Sequence, residues 1–214
     1  MPIQVQKHLT PIGSYDPNAA QSKMIGESFS ADLWVNNLLD VQHEPEWDTV
    51  TIASGNVLST LTSAIFSNIG PLVGKTPAQT SLTQANKLPA PEAFSIYAIR
   101  LRYQENLSLL DLYNIIGGFA AQLIVGNKPY NTGPVWFYQA GAGVYGTTTA
   151  SSTTIVNNGM PGRSDMHKLA VNIVLENQAF FAAQFLGNNY TLNGSGTGIT
   201  YVYTLDGLHA RGVQ

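Results

Sequence analysis

The densest group of ionisable side chains lies in the segment DVQHEPEWD, which gathers His43, Glu44, Glu46 and Asp48. Imidazole and carboxylate donors so closely spaced are of the types that hold a divalent cation. Pro45 splits the group, however, and an acidic loop ahead of a strand needs no metal to explain it. The expectation is that no metal is bound, and these four residues are where one would be sought. Two further histidines stand near aspartates, Asp165 with His167 and Asp206 with His209. A Ser-His-Asp relay can be drawn around either pair, but no G-x-S-x-G elbow or similar local signature supports one. The chain is expected to carry no catalytic residues and not to be an enzyme.

The stretch VWFYQAGAGVYG offers a different chemistry. Its last six residues, with Gly141, Gly143 and Gly146, fit G-x-G-x-x-G, the fingerprint that sets a pyrophosphate against a helix N-terminus. That use requires a helix to follow. TTTASSTT follows instead, a run of poor helix formers without an apolar face, and Asp165, the next acidic residue, lies beyond Pro161 and Gly162. The glycines are expected to serve a turn or bulge after a buried strand over 134–139, and no cofactor is expected. Trp34, Trp47 and Trp136 have rings able to stack on sugars, though Trp136 sits in the most apolar segment, where core packing is the default.

These residues belong to a chain of 214, long enough to bury a sizeable core as one large domain or two small ones. Only 11% of them are charged, under half of the usual ~25%. Ser, Thr, Asn and Gln together supply 62 residues. A surface of amides and hydroxyls suits an extracellular β-protein, or a subunit whose faces are covered by copies of itself. The net charge is −3 and the basic residues are scattered, which argues against direct, sequence-specific nucleic-acid binding. The absence of cysteine excludes disulfides and thiolate-bound zinc. The first residues, MPIQVQKHLTPIGSYDPN, lack the pattern of a secretory signal, and no apolar run has the length of a membrane-spanning helix.

Residues 1–24, polar and broken by Pro2, Pro11, Gly13 and Pro17, read as an extended arm. Alternation from Ile25 puts Phe29, Ala31, Leu33 and Val35 on one side of a strand. Further strands are expected over 47–53, 94–104, 119–125, 135–139, 169–175, 179–186 and 198–205. In the second of these, Tyr97, Ile99, Leu101 and Tyr103 share a face. Leu58, Leu61, Ile65 and Ile69 recur at helical spacing before Gly70 and Pro71, which predicts a helix over 57–69. A capping box, Ser108-Leu109-Leu110-Asp111, opens a second short helix closed by Gly117 and Gly118. Residues 71–92 and 146–164 read as long loops, and NNYTLNGSG as a hairpin turn. The strands mostly follow one another without intervening helices. The expected fold class is all-β, a mostly antiparallel jelly roll or β-sandwich with one or two short helices and long loops. The expected division is the arm 1–24 and a single jelly-roll-type domain over 25–214, with two very short rolls disfavoured.

The succession FSIYAIRLRY, LSLLDLYNIIGG, FAAQLIVGNKPY and TGPVWFYQAGAGVYG resembles the major capsid proteins of tailless icosahedral bacterial viruses with an internal membrane. The ending, ITYVYTLDGLHARGVQ, is similar to their last strand and tail. The likeness spans about residues 90–214 and rests on pattern rather than on a signature motif. It implies a jelly roll without catalytic residues, a structural virion protein of the capsid that self-assembles into an icosahedral shell. Its partners would be copies of itself, other capsid proteins and an internal viral membrane. The arm 1–24 and the loops 71–92 and 146–164 would then be inter-subunit or outward-facing. That family often carries two rolls per chain, whereas this chain has room for one elaborated roll. The alternative reading is a carbohydrate-binding β-sandwich, such as a viral fibre head or lectin-like module. A hydrolase on a jelly-roll scaffold is a third.

Overall fold

The computed structural model describes residues 39–67, 74–103, 108–138, 144–149, 152–158, 167–193 and 198–212. The expected arm 1–24, the expected strand from Ile25 to Val35 with Trp34, and the residues Gly141, Gly143 and Asp165 lie outside them.

Two segments, β1 (Leu39–His43) and β2 (Glu46–Ile52), run end to end along one edge of the longest strand, β12 (Ile199–Gly212). Their register against β12 is continuous, with His43 opposite Leu208 and Glu46 opposite Leu205. They form one edge strand interrupted where Pro45 has no N–H to give. Along the other edge of β12 lies β4 (Ala93–Tyr103), and beyond it β9 (His167–Leu175), every pair antiparallel. A second antiparallel sheet has the order β10 (Phe181–Gly187), β5 (Phe119–Val125), β6 (Lys128–Pro134). The short strands β3 (Val57–Leu58) and β11 (Tyr190–Thr191) pair with each other. Among the described residues one α-helix, α1 (Leu109–Gly118), leads directly into β5.

The two sheets meet across one core. Ile199, Tyr201, Tyr203 and Leu205 alternate into it from β12, as their spacing predicts. Tyr201 stacks on Phe185 of β10 at 4.5 Å, and Tyr203 meets Phe66 edge-on at 6.1 Å. Phe66 packs in turn on Phe181. Each of the fully buried phenylalanines Phe66, Phe181 and Phe185 contributes about 1.5–3 kcal/mol.

The pleat changes phase partway along. Asp206 pairs with Ala98 but Gly207 with Ile96, so Tyr97 is an extra residue on β4, a bulge. This corrects the expected face. Ile99, Leu101 and Tyr103 reach the core on one side of the bulge and Phe94 and Ile96 on the other, while Tyr97 is only half-buried. Gly207 is required here, because a Cβ would collide with the carbonyl oxygen of Ser95 and the ring of Phe94.

Several local expectations give way to tertiary pairing. No helix forms over the described part of 57–69. Leu58 and Ile65 are buried, but Leu61, which a helix would put beside them, is 90% exposed. The Ile65 N–H bonds to Ala183 of β10, and the Thr62 hydroxyl accepts from the Ser59 N–H and donates to the Val57 carbonyl. Side-chain bonds of this kind compete with a helix. The α1 boundaries match the capping signals, yet Ser108 makes no side-chain cap. Asp111 is buried and accepts instead from the Tyr190 hydroxyl and the Asn193 N–H, both at 2.9 Å. Strand β6 was hidden by Pro129 and Pro134, which are tolerated because it is an edge strand.

The described part of the expected strand 135–139 is not a strand. Val135–Tyr138 is a single 3₁₀ turn, and Gln139 lies outside the described residues. The supposed loop 146–164 contains a hairpin, β7 (Val144–Thr149) against β8 (Ser152–Asn158), whose β-branched residues favour strands. Of the loop 71–92, the described part, 74–92, has no helix or named strand, but Leu82 and Leu88 are buried in the core. The hairpin turn expected at NNYTLNGSG includes β11, and residues 194–197 lie outside the described set.

Gly207→Ala is expected to cost about 1–3 kcal/mol, the usual penalty of overpacking a filled site. Urea unfolding should show the midpoint falling with no change of slope.

Candidate functional site

The acidic segment is folded so that its side chains part company. Asp48 is completely buried in β2, where Oδ1 accepts from Lys75 Nζ at 2.7 Å and Oδ2 from the Phe66 N–H at 2.7 Å. Glu46, two residues earlier, is also buried, and its Oε2 accepts the Ser81 hydroxyl at 2.5 Å. Glu44 is exposed and accepts from Gln42 Nε2, while His43 Nε2 shares a 2.7 Å hydrogen bond with the Tyr97 hydroxyl. The four predicted candidates do not converge.

Two of them gather instead around His209 of β12, a buried ring that packs near Phe94. Glu92 Oε2 lies 3.4 Å and Glu46 Oε1 3.9 Å from its Nε2, and Glu44 Oε2 lies 3.6 Å from its Nδ1. Neither nitrogen makes a hydrogen bond within the protein. The carboxylates flank opposite edges of the ring rather than sharing one point. Among the described residues no three His, Cys, Asp or Glu side chains are grouped so as to hold a metal ion. Burial raises the Glu46 carboxyl above its ordinary range, and Glu44 and Glu92 add to this, against the opposing Ser81 hydrogen bond and His209.

The other described pair, Asp206 and His209, is separated too. Asp206 is gripped by both Nε and Nη2 of Arg100, the latter at 2.6 Å, and is not bonded to His209. His167 opens β9 opposite Ile99. The described end of the glycine fingerprint enters β7 rather than a helix, and Gly146 falls at a register shift between Tyr145 and Thr147. The helix that a cofactor site of this kind needs does not follow the described end of the motif, and the extra residue at the register shift belongs to β8, so Gly146 is neither a turn nor the bulged residue.

What sequence reasoning missed is a surface. In the 3₁₀ turn, Val135 and Tyr138 stand three apart, share a side and are buried. Trp136 and Phe137 are turned outward, 55% and 45% exposed, with their rings edge-on at 5.9 Å. A strand would have paired Val135 with Phe137, and a run that is apolar throughout carries no signal that separates the two arrangements. Helix α1 buries Leu112 and Ile115 and presents Leu110 and Tyr113 to solvent. Strand β6 adds Tyr130, the extra residue where its register against β5 shifts. These three elements pack against one another. Burial pushes the Tyr138 hydroxyl up to about 12, so it remains a donor, bonded to Asn131 Oδ1. Trp47, by contrast, is half-buried in β2.

Compared with family models, with curated proteins and with solved structures, the chain matches none.

Asp48→Ala is expected to destabilise the fold by about 3–5 kcal/mol in chemical denaturation, because it strands a largely buried Lys75. Glu46→Gln should act in the opposite direction. A carboxyl raised on folding favours the folded state only while protonated, so its contribution is lost as pH climbs from the unfolded value of 4.5 through the folded one. The variant should melt above the parent protein at pH 8, with the gap closing as pH falls toward 4.5. A gap that widens on acidification would contradict this account of the cluster.

Proposed function

We propose that the chain is a jelly-roll capsid subunit that self-assembles into an icosahedral shell. The observation that carries this reading is the order in which the strands pair. With β1 and β2 counted as one strand, β10 and β11 as another, and the β7–β8 hairpin set aside, eight strands remain among the described residues. The first pairs with the eighth, the second with the seventh, the third with the sixth and the fourth with the fifth. The eighth also pairs with the third, and the seventh with the fourth, which joins this wound hairpin into two sheets. This order of pairing supports reading the sandwich as a jelly roll, a fold used by viral capsid and lectin domains alike.

Surface chemistry supports the capsid use over the others. Interface cores are poor in charge and rich in Trp, Tyr and Phe, and this chain has 11% charged residues and an outward-facing aromatic set on α1, β6 and the 3₁₀ turn. The subunit's place would be the virion, among copies of itself, other capsid proteins and an internal viral membrane, with no catalytic role. One observation favours the alternative, a carbohydrate-binding sandwich: Trp136 is exposed, as a sugar-stacking ring must be.

Sedimentation velocity over a rising concentration series distinguishes the two. The capsid reading expects discrete assemblies that grow with concentration. A species that stays monomeric throughout, and binds a glycan in a manner lost on Trp136→Ala, would replace it with the lectin-like reading.

A further inference from the structure

We propose that the face made by α1, β6 and the 3₁₀ turn is self-complementary and packs against the same face of a second copy of this chain. The choice of partner rests on the shell reading above. The choice of surface rests on what these residues present. Of the ten exposed large apolar side chains among the described residues, five are Leu110, Tyr113, Tyr130, Trp136 and Phe137. At ~200 Å² for a large side chain, roughly half-exposed, they offer on the order of 500 Å² of surface. That is more than half of the ~800 Å² each partner buries in a standard interface.

Charge selects a copy of the same face as the occupant. In a two-fold contact a face meets its own copy, so any net charge it carries meets the same sign, and it pairs with itself most readily where its centre lacks net charge. Among all residues of α1, β6 and the 3₁₀ turn, only Asp111 and Lys128 are charged. Asp111 is 1% exposed and bonded inward to Tyr190 and Asn193. Lys128 stands at the β5–β6 turn, at the margin of the face. The anchors are also held firmly. The 3₁₀ turn is pinned by buried Val135 and Tyr138, the latter bonded to Asn131 of β6. Phe137 lies over Gly133, where a Cβ would press on its ring. Little side-chain order then has to be gained on contact.

The test is a pair of opposite charges at one position. Trp136→Glu and Trp136→Lys, each alone, put charge of the same sign at the centre of both faces and should weaken self-association at least about tenfold. Mixed in equal amounts, the two variants should recover it, because each charge now meets its opposite. Leu61→Glu, at a 90% exposed site outside these elements, should associate as the parent does. Circular dichroism and melting temperature confirm that each variant is folded before it is scored. Single variants that associate like the parent would overturn this surface and leave the shell reading standing. Weakened variants without recovery on mixing would show that the face meets a different surface. A parent chain that stays monomeric would overturn this inference and the shell reading together.

Discussion

The whole arrangement hangs on β12, a strand of 14 residues that is hydrogen-bonded along both edges for most of its length. A strand in that position cannot shift register without turning its buried side chains to the opposite face. Tyr201, Tyr203 and their neighbours therefore lock both β2 and β4, and through Phe185 and Phe66 they lock the facing sheet. One bulge, where Tyr97 leaves the ladder and Gly207 passes under Phe94, lets the strand continue to β1 in a new phase. That change of phase delivers His209 into the carboxylates of Glu44, Glu46 and Glu92.

The chain has few charges, and the fold commits several of them to its interior. Asp48 with Lys75, Asp206 with Arg100, and Glu46 beside His209 each lie at the sheet formed by β2, β4 and β12 or beneath it. Burying charge is costly unless it is paired, so such pairs add little net stability even where breaking one is costly. The consequence is an exterior with fewer charges still. Among the described residues around α1 and the 3₁₀ turn the surface is almost uncharged and aromatic, and the proposed contact between copies rests on that combination.

Strands whose residues alternate cleanly were legible in the sequence, β5, β10 and the first half of β12 above all. So were the ends of α1, marked by Ser108 and by Gly117 and Gly118. The failures have particular causes. Leu58 and Ile65 keep helical spacing but are buried by pairing with β11 and β10, a non-local bond that no window of sequence displays. Val135–Tyr138 is apolar throughout, and such a run does not declare its period; the 3₁₀ turn reverses which rings face water. The acidic segment drew attention for the right residue types, but its partners, Lys75, Ser81, Glu92 and His209, come from distant parts of the chain. Side-chain chemistry was visible, and the pairing that gives it a role was not.

Electron microscopy of the purified protein tests the central claim most directly. A self-assembling jelly-roll subunit predicts regular shells, or sheets of repeating capsomers, at concentrations where sedimentation shows large species. A field of single particles of roughly 23.0 kDa, unchanged at the highest attainable concentration, would contradict it.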